Sequence, residues 1–126
     1  MNKYFLYPAL AICLLASCKK SDEKKLVGVW KATAMAIDTN GNGVMDTQEK
    51  WDESANNWGY AFKKGGDVEV NAGLTHLGTW QLKNGILTIT AATSKDFKVL
   101  TLNSTDLTLE WSDEYGEKNW EVLKKQ

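Results

Sequence analysis

The chain has 126 residues and a formal net charge of −1, from 15 basic and 16 acidic side chains, and every basic one is lysine. That balance leaves no basic footprint for nucleic acid, and the lack of arginine argues against two-pronged clamps on carboxylate or phosphate. The length suits a single domain around one modest core.

At the N-terminus, Lys3 precedes an apolar stretch from Tyr4 to Ala16, with small residues just before Cys18. This is the pattern of a secretory leader with a cut site, and it is too short to cross a bilayer, which takes about 20 apolar residues. Leu15-Ala16-Ser17-Cys18 resembles a bacterial lipobox, and the resemblance implies that Cys18 becomes the lipid-bearing first residue of the mature protein. Two or more acyl chains there would anchor it stably to a membrane. The competing reading is an ordinary secretory leader that leaves a free thiol at Cys18. Lys19 after the cysteine resembles lipoproteins passed on to the outer membrane, and Asp22-Glu23 resembles a surface-export signal; the bland reading of both is a solvated charged linker. The expected location is therefore the bacterial outer membrane, lipid-anchored, with cell-surface exposure as one arrangement.

The division that follows is a signal peptide over 1–17, a flexible linker over 18–25 and a folded domain over 26–126. Losing the leader removes Lys3 and Cys13, which takes the net charge from −1 to −2 and leaves 109 residues with Cys18 as the sole cysteine. No disulfide framework or cysteine metal site is then possible.

From Leu26 onward, short runs of Val, Ile, Thr, Leu and aromatic residues are broken by Gly, Asn and Asp at close spacing, the mark of an all-β sandwich or barrel. The pattern predicts eight strands near 27–37, 58–64, 67–72, 77–83, 86–91, 96–102, 106–111 and 118–124. Lys64-Gly65-Gly66-Asp67, Asn84-Gly85, Asn103-Ser104-Thr105 and Asp113-Glu114-Tyr115-Gly116 are hairpin-sized connectors, which makes the sheet an antiparallel meander. Asn84-Gly85 fits a type I′ turn, which needs positive φ at both central residues. Alternation in Leu87-Ile89-Ala91, Leu107-Leu109-Trp111 and Trp120-Val122 predicts that each set lies on one dry face. Eight antiparallel strands with one dry face lose their open edges by closing into an up-and-down barrel, with a two-sheet sandwich as the alternative.

Between the first two predicted strands, residues 38–49 match the twelve-residue calcium loop of an EF-hand. Oxygen ligands fall at Asp38, Asn40 and Asn42, the turn glycine at Gly43, a carbonyl at Val44, a water-mediated position at Asp46 and a two-oxygen ligand at Glu49. With only three carboxylates, a calcium site here would be weak, near the 10⁻⁴–10⁻³ M range of extracellular modules. The competing reading needs no metal: Asn-Gly-Asn-Gly is turn chemistry, and Asp46 with Glu49 is a helix capping box. No incoming helix precedes the loop, since 32–37 reads as strand. After it, residues 47–56 read as one short helix carrying Trp51, set to lie over a barrel mouth.

Six tryptophans, all after the leader, must fill a core, line a cavity, or both. Trp30, Trp58, Trp80 and Trp111 are the candidate ligand contacts, set against plain core packing for each. Catalysis is not expected. His76 is the only histidine, with no nucleophile elbow or usable thiol near it, and no second histidine exists for zinc. Asp52-Glu53 and Asp113-Glu114 are adjacent pairs, which do not straddle a cleft as a glycosidase pair must.

Leu26-Val27-Gly28-Val29-Trp30-Lys31 resembles the Gly-x-Trp signature of the first lipocalin strand, and Leu77-Gly78-Thr79-Trp80-Gln81-Leu82 repeats it. With Phe62-Lys63-Lys64-Gly65-Gly66, Leu87-Thr88-Ile89 and Leu107-Thr108-Leu109-Glu110-Trp111 following in order, residues 26–124 resemble the small lipocalin-like lipoproteins of diderm bacteria. The resemblance implies an eight-stranded barrel and a binding module for a small apolar ligand, or a packed barrel that docks to another envelope protein. The arginine that packs on the first-strand tryptophan of animal lipocalins is missing, with Lys118, Lys124 and Lys125 as substitutes.

Overall fold

A computed structural model describes residues 21–126. The leader and Cys18 lie outside the described residues. Residues 21–26, at the end of the expected linker, are helical. They are followed by β1 (Gly28–Ile37), a 3-10 helix (Thr47–Glu49), β2 (Lys50–Asp52), β3 (Gly59–Phe62), β4 (Asp67–Ala72), β5 (Leu74–Lys83), β6 (Ile86–Thr90), β7 (Ser94–Leu102), β8 (Asp106–Ser112) and β9 (Lys118–Lys125).

Every strand from β3 to β9 pairs antiparallel with the next, and β9 returns to β1 from Trp30↔Lys125 to Ile37↔Asn119. This closes an eight-stranded barrel of β1 and β3–β9, as the meander predicts, and leaves none of these strands as an open edge of the kind that templates aggregation. β2 is an addition. It takes the stretch of β1 that β3 leaves free, Ala34↔Asp52 to Ala36↔Lys50, while β3 holds Gly28–Lys31. The helix expected over 47–56 is accordingly only one turn long. Pairing with the free edge of β1 satisfies the backbone of Lys50–Asp52 and draws Trp51 into a strand, where it is exposed.

Because connections alternate, the barrel has two ends. The N-terminal helix, the C-terminus and the β3–β4, β5–β6 and β7–β8 hairpins share the helix end; the remaining loops share the loop end. At β5–β6, Asn84 (φ 52°) and Gly85 (φ 76°) form the expected primed turn.

The interior cluster contains Leu26, Trp30, Phe62, Val68, Leu87, Ile89, Phe97, Leu107, Leu109 and Leu123. Leu87 with Ile89 and Leu107 with Leu109 point inward as alternation predicts. Trp120 and Val122 do not. Leu107 pairs with Leu123, Leu109 with Glu121 and Trp111 with Asn119, and directly paired residues share a face, so β9 turns Asn119, Glu121 and Leu123 inward. Trp120 lies on the outer face opposite Ala36, and both are 1 % exposed. A register shift between Ala32 and Ala34 accounts for this, since an extra residue in β1 moves Ala34 and Ala36 to the outside and makes room for an outward tryptophan.

Candidate functional site

At the helix end the interior is dry and filled. Trp30 donates its indole N–H to the Leu26 carbonyl at 2.7 Å, which fixes the helix over the barrel. The Lys125 ammonium sits 5.4 Å from the centre of the Trp30 ring and donates to the Lys25 carbonyl at 3.1 Å. Gly28 makes this possible: it adopts φ 141°, and a Cβ there would lie 2.5 Å from the Lys125 side chain. Gly78, the glycine of the second copy of the signature, meets a different obstacle, because a Cβ would lie 2.3 Å from the Thr90 carbonyl oxygen.

Toward the loop end the same interior face becomes polar. The Tyr60 hydroxyl donates to Glu121 Oε2 at 2.7 Å, and both residues are buried. Burial pushes the Glu121 carboxyl above its ordinary value, opposed by the Tyr60 hydrogen bond and by the charge of Lys95. Burial and the Glu121 charge push the Tyr60 phenol well up. Lys95 closes this layer, its ammonium 3.8 Å from the centre of the Trp111 ring and 5.0 Å from that of Phe97; burial against the rings lowers its pKa, opposed by Glu121. Phe97 packs edge-on against both Trp111 and Tyr60.

On the flank of the barrel, a groove of about 800 Å³ runs between the 53–58 loop, β1 and the β4–β5 hairpin, and its walls include Trp58, Asn56, Asn57, Asn71, Lys31 and Gln126. The loop that forms one wall is held by its own side chains. Glu53 accepts from the Trp51 indole at 2.5 Å and from the Asn56 amide at 2.7 Å, and Asp52 accepts from the Ser54 N–H at 2.8 Å. The Trp58 carbonyl accepts from the Ala32 N–H at 2.9 Å, which ties the far end of the loop to β1. A second, smaller hollow of about 310 Å³ lies at the helix end between Trp80, Val27, Lys24 and Lys64.

Of the four candidate tryptophans, Trp30 and Trp58 border the same groove, while Trp80 and Trp111 lie elsewhere. Trp30 is buried at the helix end and also lines the groove. Trp80 packs edge-on against Phe62, donates to the Lys63 carbonyl at 2.9 Å and borders the smaller hollow. Trp111 lies under Lys95 at the loop end. Trp58 packs against the interior cluster and lines the groove. His76 is exposed on β5, paired with Val70. The sequence alone does not single out Glu121, Tyr60 or Lys95. The signal for Glu121 is its position two residues before Leu123, which becomes visible only once β9 is in register.

The lipocalin-like domain model matches residues 26–109. The chain belongs to the lipocalin-like domain family. A lipocalin-like protein from Bacteroides uniformis shares the fold with a TM-score of 0.56 at 19 % identity, over 81 % of this chain and 99 % of that one. A protein from Bacteroides eggerthii gives a TM-score of 0.52 at 17 % identity, over 79 % and 98 %. No curated protein matches the chain. The lipocalin-like barrel is a binding-module fold, one that typically binds rather than catalyses, although a fold alone names no ligand. In this lipocalin-like protein the position of the animal arginine over the first-strand tryptophan is taken by Lys125, one of the three lysines expected there.

The Asp38–Glu49 loop leaves the loop end of β1, where the Asp38 N–H donates to the Lys118 carbonyl at 2.8 Å. Asn40 Oδ1 accepts from the Asn42 N–H at 3.1 Å and Asn42 Oδ1 from the Val44 N–H at 3.0 Å, while both amide nitrogens donate to Asp46 Oδ2 at 2.8 Å. Those amides hold the Asp46 carboxyl below its ordinary value. Glu49 accepts from the Thr39 N–H at 2.6 Å, the Asn40 N–H at 3.3 Å and the Asp46 N–H at 3.2 Å, the last completing a capping box. Among the described residues, no three His, Cys, Asp or Glu side chains converge as a metal-holding group.

Proposed function

We propose that this protein is a lipid-anchored binding module of the bacterial cell envelope, tethered through Cys18 to the outer membrane, which takes a small ligand in the groove on the barrel's flank. The observation that carries the reading is the groove itself. Its volume of about 800 Å³ lies within the range of small-molecule sites, and it joins one aromatic wall, Trp58, to amide side chains able both to donate and to accept. Val29, Ala55 and Ala72 add apolar surface to that lining, so the expected guest is a small molecule with both apolar and polar faces, and the filled helix end leaves the barrel axis a poorer host.

The anchor gives the site a direction. Cys18 precedes Leu26 by eight residues, a chain that reaches at most about 28 Å even when extended. Leu26 is packed into the helix end, so a lipid on Cys18 turns that end toward the membrane and the loop end away from it. No helix among the described residues is long and apolar enough to cross a membrane.

Native mass spectrometry of protein purified from its own membranes tests the reading. We expect a retained small-molecule mass that Trp58→Ala releases and Trp80→Ala does not; a bare protein mass with no response at Trp58 contradicts it. Cys18→Ser is expected to move the protein from the membrane to the soluble fraction.

A second reading, a barrel that docks to another envelope protein, is favoured by Leu74 and Leu77, each 75 % exposed at the β4–β5 hairpin. A photo-crosslinker at position 77 that captures one discrete membrane protein in cells supports docking, and the absence of any adduct argues against it.

A further inference from the structure

Turn and cap chemistry accounts for Asn40, Asn42, Asp46 and Glu49, but it does not account for Asp38. Asp38 is 7 % exposed, its Oδ2 accepts from the Gly43 N–H at 2.8 Å, and its Oδ1 is buried with no hydrogen-bond partner. A buried carboxylate oxygen without a donor is costly, and proteins keep one only where something compensates it. The Gly43 N–H comes from the sharp bend of the loop itself, so the Asp38 carboxylate is held against that bend. There the orphan oxygen stands at the first ligand position of a twelve-residue calcium pattern whose other oxygens belong to the same loop.

We infer that the Asp38–Glu49 loop binds one calcium ion, with Asp38 as the preformed ligand. A hard cation takes six to eight oxygens, more than the three carboxylates provide. The amide oxygens of Asn40 and Asn42 and the Val44 carbonyl complete the set. Glu49 exchanges its hydrogen bonds with the Thr39 and Asn40 N–H groups for the ion, and Asp46 acts directly or through water. Lys118, the nearest cation to the bend, is already engaged by Glu110 at 3.3 Å, and its ammonium lies 3.6 Å from where a Gly43 Cβ would stand. It sits at the rim and does not reach the orphan oxygen, which has no partner.

Calcium would act on the barrel as well as on the loop. Asp38 directly follows β1, and its N–H is bonded to Lys118 at the start of β9, so an ion held by Asp38 fastens the loop end of the β1–β9 closure. An ion that binds only the folded state raises its stability by mass action, so the melting temperature should climb with calcium by several degrees at about ten times Kd.

The test is calorimetric titration of the mature chain with calcium chloride, with magnesium chloride as control, together with thermal melts in calcium and in chelator. We expect one site with Kd of about 10⁻⁴–10⁻³ M, a calcium-dependent rise in melting temperature, and at least tenfold weaker binding in both Asp38→Asn and Glu49→Gln. In chelator, Asp38→Asn should melt no lower than the unaltered chain, because it removes the uncompensated charge and keeps an oxygen for Gly43. A role confined to shaping the turn predicts that it melts lower. If Asp38→Asn fails to fold, the exposed Asn40→Ala replaces it in the titration. No heat and no melting shift for the unaltered chain at 10 mM calcium, or heat that survives both substitutions, overturns the inference.

Discussion

At the helix end of the barrel, Trp30, Phe62, Leu87, Leu107 and Leu123 are at most 1 % exposed, and Lys125 holds its ammonium beside the Trp30 ring with a carbonyl partner. At the loop end the same inward face carries Glu121, Tyr60 and Lys95, and the Asp38–Glu49 turn leaves β1 there, while the flank groove runs from the 53–58 loop and the β4–β5 hairpin to Val29, Trp30 and Gln126. One end spends its residues on closure and the other keeps polar groups that closure alone does not need. The contrast places a dry closure at one end of one small barrel and buried polar groups toward the other, and four substitutions should separate them.

The largest effect is expected at the helix end. Trp30→Ala removes one of the two largest fully buried side chains and the indole bond to Leu26, and should cost about 3–5 kcal/mol in urea unfolding. Tyr60→Phe should cost about 1–3 kcal/mol, because it leaves Glu121 buried without its hydrogen bond.

Glu121→Gln acts mainly through pH. In the unaltered chain the folded state holds a proton that the unfolded state releases, so stability falls as pH rises from the ordinary carboxylate range through the raised folded value. Glu121→Gln should flatten that fall and Tyr60→Phe should steepen it; melts across pH 4 to 8 that show one common slope for all three would erase the contrast. Lys95→Met should be the mildest, below about 1 kcal/mol, since its contact with Trp111 is partly solvated. An equal loss for Trp30→Ala and Lys95→Met in the same denaturation series would mean that the two ends are built alike.

Much of the barrel was legible in the chain because local chemistry and global closure agree. Asn84-Gly85 dictates its turn, the β4 run from Asp67 to Ala72 is bounded by glycines, and Leu107-Leu109 alternates cleanly against polar neighbours. The last strand takes the opposite phase to the one its apolar residues suggest. In Lys118-Asn119-Trp120-Glu121-Val122-Leu123 either alternation can be drawn, and the apolar one puts Trp120 inside. Which phase holds is decided by pairing with β1, whose shift at Ala32/Ala34 cannot be seen in β9's own sequence. The same non-locality hid β2, which forms because β3 leaves part of β1 unpaired, and the groove, whose walls come from the 53–58 loop, Asn71 and the C-terminal Gln126. The Asp38–Glu49 pattern, by contrast, is wholly local and was readable from spacing; what spacing could not supply is that Asp38 is buried with one oxygen unmatched.

Hydrogen exchange followed at the tryptophan indoles and strand amides measures the contrast between the two ends most directly. The Trp30 indole and the amides along the β1–β9 closure should exchange only through global unfolding, while the Trp51 indole and the 53–58 amides exchange through local opening. A Trp30 indole that exchanges as fast as that of Trp51 would contradict a barrel sealed at its helix end.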